Sequence, residues 1–185
     1  MAETFTVNRE HRSRLLDGMA HAVSRKGYGD TTIADIVAQA GVSRRTFYEH
    51  FTSKAECLVA LYGAASHNAL KVLRDAIDPA HGWQARVETA LRAYLGCMAA
   101  SPVLVRTLYI EILHLGPEGL EARRRVNLEL ADFIVQTVDV TPQLAMAIVG
   151  GINELVLEYI EQDKVAQLED LVAPASQLVH LVTRQ

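Results

Sequence analysis

Arg44, Arg45, Thr46, Tyr48, His50 and Lys54 set six hydrogen-bond donors close together, directly after Ser43. None sits as a nucleophile beside a base. The chain also has no His-x-x-x-His, Cys-x-x-Cys or Gly-x-Ser-x-Gly spacing, so these residues suit recognition better than catalysis. Arginine can give two parallel hydrogen bonds to a guanine edge, and threonine can meet a thymine methyl. Tyr48, His50 and Lys54 suit phosphate, which fixes register without reading sequence. Gly27-Tyr28-Gly29 lacks the third glycine and the preceding strand of a nucleotide loop, and reads as a helix stop. No enzyme activity, cofactor or metal is expected from these patterns.

Presenting such donors to one partner requires a short, well-capped helix braced by another. Thr32 is placed to cap a first helix, with Asp35 at the acid position of a capping box and Ile33, Ile36, Val37 and Ala40 on one side. Gly41 follows, where a left-handed residue ends a helix. Ser43 can cap a second helix, with Val42 and Phe47 spaced as a hydrophobic staple and Phe47 and Phe51 pointing inward. Two helices about a tight glycine turn are a helix-turn-helix, whose second helix enters the major groove. DNA-contact candidates are therefore Thr32, Ser43, Arg44, Arg45, Thr46, Tyr48, His50 and Lys54. A solvated face of a helical bundle is the plainer alternative.

The run Thr-Thr-Ile-x-x-Ile-Val-Ala-x-Ala-Gly-Val-Ser-x-x-Thr-Phe-Tyr-x-His-Phe-x-Ser-Lys, from Thr31 to Lys54, resembles the tetracycline-repressor (TetR/AcrR) family of bacterial regulators. Strong matching covers about Arg14 to Leu61. The resemblance implies an all-α protein of about nine helices: an N-terminal helix-turn-helix domain over residues 1–52 and a helical effector-binding and dimerisation domain over 53–185. It further implies a ligand-responsive regulator, a repressor that binds a palindromic double-stranded DNA operator as a homodimer and is released by a small-molecule effector. In the family the fourth helix carries the signal, and the last two helices pair with their copies in a second subunit. On that basis Leu144, Ile148, Gly151, Leu155, Leu171 and Leu178 are assigned to the dimer interface, with packing inside one chain as the alternative.

Composition agrees with this division. Of 185 residues, half are hydrophobic and 6% aromatic, and the net charge is −4, a balance that suits a helical protein and argues against one large nucleic-acid surface. Residues 1–54 carry eight basic against six acidic side chains, and residues 55–185 carry ten against sixteen. The excess of positive charge lies with the helix-turn-helix. Cys57 and Cys97, inside apolar helical patterns, read as small hydrophobes rather than a disulfide or redox pair. No signal peptide or unbroken apolar run of 18 residues appears, so a cytoplasmic protein with no membrane partner is expected.

Along the chain, the spacing predicts a bracing helix over about 8–26 with Leu15, Leu16, Met19, Ala22 and Val23 inward. Arg9, Arg12 and Arg14 lie near its start, facing either phosphate or solvent. Ser53-Lys54-Ala55-Glu56 reads as a capping box opening a helix that reaches Ile77. Further helices are predicted over 83–100, 102–114, 118–138, from Thr141 past Tyr159, and over 165–182. Gly150 and Gly151 inside a helix imply close approach of another backbone, for which the final helix is the natural neighbour. Tyr94, Met98, Tyr109, His114 and Phe133, apolar with polar or polarisable tips, are effector-pocket candidates that can equally be core. Their lining suggests a mainly apolar ligand. A helical protein-interaction module and a small helical enzyme using the body cavity are the competing functional classes.

Overall fold

In the computed structural model the backbone is described for residues 2–183 and the side chains from Val7. Nine α-helices and two short 3-10 helices make up the described residues, without a strand. They are α1 (Ala2–Asp30), α2 (Ile33–Ala40), α3 (Arg44–His50), α4 (Lys54–Asp75), α5 (Trp83–Ala99), α6 (Pro102–Tyr109), α7 (Pro117–Thr137), α8 (Pro142–Glu161) and α9 (Val172–Thr183), with 3-10 turns at Glu111–Leu115 and Val165–Leu171. The chain divides into two compact units, Met1–Ala64 with Arg106–Ala122, and Ala65–Val105 with Arg123–Gln185. This division falls inside α4, α6 and α7 rather than at residue 52.

The first unit is built on the stripe that the spacing of α1 predicts. Leu15, Leu16, Met19, Ala22 and Val23 are all buried, as are Ile36, Phe47, Phe51, Cys57 and Leu58. Fully burying a Phe47-sized side chain contributes about 1.5–3 kcal/mol. Gly18 sits where α1 meets α2: a Cβ there would lie 2.6 Å from the Ile36 carbonyl oxygen. The two helices can approach so closely only because that position carries no side chain.

Lys54 joins the start of α4 to the end of α1. Its Nζ donates to the carbonyl oxygens of Tyr28 at 2.8 Å, Thr31 at 2.7 Å and Gly29 at 3.4 Å, and lies 4.1 Å from the centre of the Tyr28 ring. An ammonium has three N–H groups, and here all three point at protein. The corner it holds is fixed from other sides as well. Gly27 has φ of 76°, the Thr31 hydroxyl donates to the Gly27 carbonyl, and Glu111 accepts the Tyr28 N–H at 2.8 Å. The capping box before α4 forms only in part. Ser53 accepts from the Glu56 N–H, but the Glu56 carboxylate takes the N–H and hydroxyl of Thr52.

Two predicted helices are broken. The pattern over 102–114 becomes α6 and a 3-10 turn, closed by Gly116 at φ of 60°. The one over 165–182 becomes a 3-10 turn followed by α9, because Pro174 has no N–H to donate and its ring collides with a preceding helical turn. Restarting at Val172 puts Pro174 in a first turn, where neither matters.

The second unit packs α5, α8, α9 and the turn before α9 around Val87, Leu91, Leu95, Ile148, Val156, Leu168 and Ala175. Thr141 caps α8 by accepting the Leu144 N–H, with Pro142 at its first position. By length and composition α8 is long and apolar enough to cross a membrane, although Glu154 and Glu158 interrupt its apolar run, and 33% of its apolar stretch is buried within the chain. Gly151 meets the expected neighbour, since a Cβ there would lie 2.8 Å from Leu178 Cδ2 on α9, whereas Gly150 has nothing within 4 Å.

Three substitutions test this packing in urea unfolding of the purified chain. Lys54→Met, which strands the carbonyls at the end of α1, is expected to cost about 1–3 kcal/mol. Gly18→Ala should cost a similar ~1–3 kcal/mol through overpacking, whereas Gly63→Ala, in open space on α4, should raise stability by up to about 1 kcal/mol.

Candidate functional site

The helix-turn-helix forms as its residues dictate. Thr32 and Asp35 make the reciprocal box: the Asp35 N–H donates to Thr32 Oγ1 at 3.2 Å and the Thr32 N–H to Asp35 Oδ2 at 2.8 Å. Lys26 adds an ion pair to Asp35 at 2.7 Å. Lys26 first, and then the bonds from Thr32, hold the Asp35 carboxyl well below the usual carboxylate range. Gly41 takes the left-handed conformation at φ of 61°. Its carbonyl accepts Arg14 Nη2 at 2.7 Å, so Arg14 is committed to the turn. Arg12 lies over the Phe51 ring at 5.4 Å. Neither role has a local signal in sequence, because the partners are 27 and 39 residues away.

On α3, the Ser43 side chain accepts the Thr46 N–H at 3.0 Å, and the two hydroxyls share a hydrogen bond at 2.9 Å. One of their two protons is used between them, which leaves one for an outside acceptor. Phe47 is fully buried, while Ser43, Arg44, Arg45, Tyr48 and Glu49 are exposed. Arg45 is paired with Glu49 at 3.1 Å across an exposed i,i+4 step, a contact worth little in water and readily exchanged. Glu49 is the exposed acceptor that donor spacing alone did not pick out.

His50 and Lys54 differ from the phosphate-contact expectation. Burial first, then His11 and Arg12, hold the His50 imidazole below its ordinary pKa, so near neutral pH it offers an N–H without a charge. Lys54, with its donors on backbone carbonyls, is a structural clamp. Thr32 is exposed, but its hydroxyl belongs to the box.

The second unit contains an apolar cavity of about 100 Å³. Its wall includes Leu73, Trp83, Arg86, Leu91, Ile134, Ile148 and Val179, with Asn153 as a polar group. Tyr94 and Phe133 line it, and Arg74 on α4 lies over the Phe133 ring at 5.5 Å. Met98 is buried one turn beyond Tyr94, off the wall. Tyr109 and His114 belong to the first unit, His114 beside Glu111 at 3.2 Å. A polar tip on an apolar body marks a residue type, and only the fold decides what it lines. Trp83 and Arg86 were the wall groups missed as ligand contacts. Asn153 donates to Asn127 at 3.2 Å.

Among the dimer-interface candidates, Ile148 and Leu171 are buried inside the chain, Ile148 in the cavity wall, which takes both away from any partner. Leu144 is 42% exposed, and Gly151, Leu155 and Leu178 are half-buried. Cys57 is fully buried and its thiol is pushed up to about 12 by burial, which makes it unreactive. Cys97 is half-buried beside Asn68.

Residues 15–61 match the family described as bacterial regulatory proteins, tetR family. The chain is 40% identical over 52 residues to the HTH-type transcriptional regulator TtgR of Pseudomonas putida, a match covering 28% of this chain and spanning about a quarter, 25%, of that protein. Over most of its length it is 22% identical to the fatty acid metabolism regulator protein of Bacillus subtilis, covering 91% and 92% of the two chains. Among solved structures it is similar to the fatty acid degradation regulator FadR of Bacillus halodurans, with a TM-score of 0.78, 19% identity and 91% and 93% coverage. It is also similar to Bacillus subtilis FadR in complex with stearoyl-CoA, with a TM-score of 0.75, 17% identity and 90% and 96% coverage. Residues 15–61 thus carry the helix-turn-helix segment of the tetR family of bacterial regulatory proteins, and the whole chain shares the helical fold of these solved regulators.

Proposed function

We propose that this regulator binds a palindromic operator as a homodimer, acts as a repressor, and is released by a small, mainly apolar effector held in the second unit. The observation that carries the DNA reading is the first turn of α3. Arg44 stands there exposed, beside Arg45 and Tyr48, on a helix whose other face is pinned by Phe47. A guanidinium so placed can give two hydrogen bonds to guanine, and two copies would read two half-sites.

Self-association is supported by α8. Much of its apolar surface is left uncovered by its own chain, and Leu144 and Leu155 lie on that side. Gly150 adds to this. A mid-helix glycine costs about 1 kcal/mol relative to alanine, and among the described residues no other element lies within 4 Å of a Cβ placed there. Close approach by the partner's helix would account for it.

Release by ligand is supported by the cavity's size. Small-molecule sites usually run to several hundred Å³, so a ligand larger than the cavity's about 100 Å³ would extend through its open side or push the walls apart. One wall residue, Leu73, lies on α4, whose first residue is the Lys54 clamp. A ligand that binds better to the widened state shifts α4 by at most that difference in affinity. Similarity to a FadR seen with stearoyl-CoA favours a ligand with a long apolar chain.

Selection of bound fragments from a random duplex library, repeated across salt concentrations, tests the DNA reading: a short palindrome should emerge. Arg44→Ala should then weaken the selected site by about 1–3 kcal/mol with little change on random DNA, and equal losses on both would overturn base reading. In sedimentation, Gly150→Phe should convert dimer to monomer without lowering monomer stability. A dimer of unchanged affinity would rule out this face.

A further inference from the structure

Three of the four buried side-chain nitrogen or oxygen sites without a partner among the described residues belong to one cluster. They are Trp83 Nε1, Arg86 Nε and His180 Nε2. The His180 ring stands edge-on to Trp83 at 6.3 Å, and the Arg86 guanidinium lies 5.7 Å from the centre of the Trp83 ring. Trp83 and Arg86 both line the apolar cavity, at the N-terminal end of α5, eleven and eight residues before Tyr94 on the same helix.

Buried donors in folded proteins almost always have acceptors. A guanidinium cannot shed its charge; Arg86 is half-buried with its Nε out of solvent, and the cavity it lines is mostly apolar, with Thr137 and Asn153 as polar wall groups. No carboxylate is paired with it among the described residues, and the ring of Trp83 is its one aromatic partner. An indole N–H and a guanidinium N–H lining one cavity can both donate to a ligand oxygen, with the charge favouring an anionic one. From Trp83 to Tyr94 the cavity follows α5 for about 16 Å, which suits an extended hydrocarbon chain running away from that oxygen.

We infer that Trp83 and Arg86 form a head-group site that takes the acceptor oxygen of an acyl chain whose hydrocarbon tail lies along α5 toward Tyr94. This rests on the cavity being the effector site, and it adds which end of the ligand goes where. A free carboxylate and a thioester carbonyl offer the same oxygen chemistry. The guanidinium favours the carboxylate.

Calorimetric titration of the full chain with dodecanoate, dodecanol and dodecanoyl-CoA separates the possibilities. The wild-type chain should bind dodecanoate about 10- to 100-fold more tightly than dodecanol. Arg86→Gln should remove that preference by weakening dodecanoate and leaving dodecanol unchanged. Trp83→Phe keeps an aromatic ring near His180 and removes the indole N–H together with the five-membered ring that carries it. It should weaken dodecanoate in the same selective way, and it stands in if Arg86→Gln does not fold. Tighter binding of dodecanoyl-CoA, lost by the same factor in both variants, would support the site and assign the oxygen to the thioester. Equal binding of acid and alcohol by the wild-type chain, or a preference that survives both substitutions, would overturn the head-group site while leaving the cavity as the effector site. Binding of none of the three would overturn both.

Discussion

One ammonium group holds the DNA-reading unit together. Lys54 Nζ reaches the carbonyls of Tyr28, Gly29 and Thr31, in the segment just past the break that Gly27 makes in α1. Because Lys54 is the first residue of α4, the bond fixes the angle at which α4 leaves the helix-turn-helix. Glu111 acts on the same corner from the other side, through the Tyr28 N–H. α1, α4 and the segment after α6 thus meet at residues 27–31.

Around that corner the division of labour on α2 and α3 follows from simple geometry. Short helices cannot stand alone in water, so each is held by caps, by a glycine turn and by one or two buried side chains. Arg14 closes the turn on the Gly41 carbonyl, and Phe47 pins α3. What remains outward is a row of long donors with one acceptor among them, Glu49. The partial charges of such a surface are arranged before any partner arrives, and reading is then a matter of matching edges.

The second unit follows another logic. Its helices pack around a small apolar cavity, open in part to solvent, with a wall contributed in part by the end of α4. A tight apolar cavity resists deformation because interiors are close-packed. Widening it therefore has to move whole helices rather than single side chains. Leu73, in that wall, lies on the same helix as Lys54.

The sequence by itself determined the local features. Thr32 with Asp35, Gly41, Ser43 and the Phe47–Phe51 pair each act over at most four residues, so their roles are written in spacing, and the inward stripe of α1 is written in the same way. Pro174 and the 3-10 turns show where periodicity alone over-ran: hydrophobic spacing continued through a residue that cannot donate. Only the tertiary structure decided what lies across the chain. It turned Lys54 from a phosphate contact into a clamp and committed Arg14 to the turn. It buried Ile148 in a cavity wall and placed Tyr109 and His114 away from that wall. It also brought Trp83 and Arg86 beside His180, nearly a hundred residues away. Such contacts depend on how helices pack, and a helix face carries no label saying which other face will meet it.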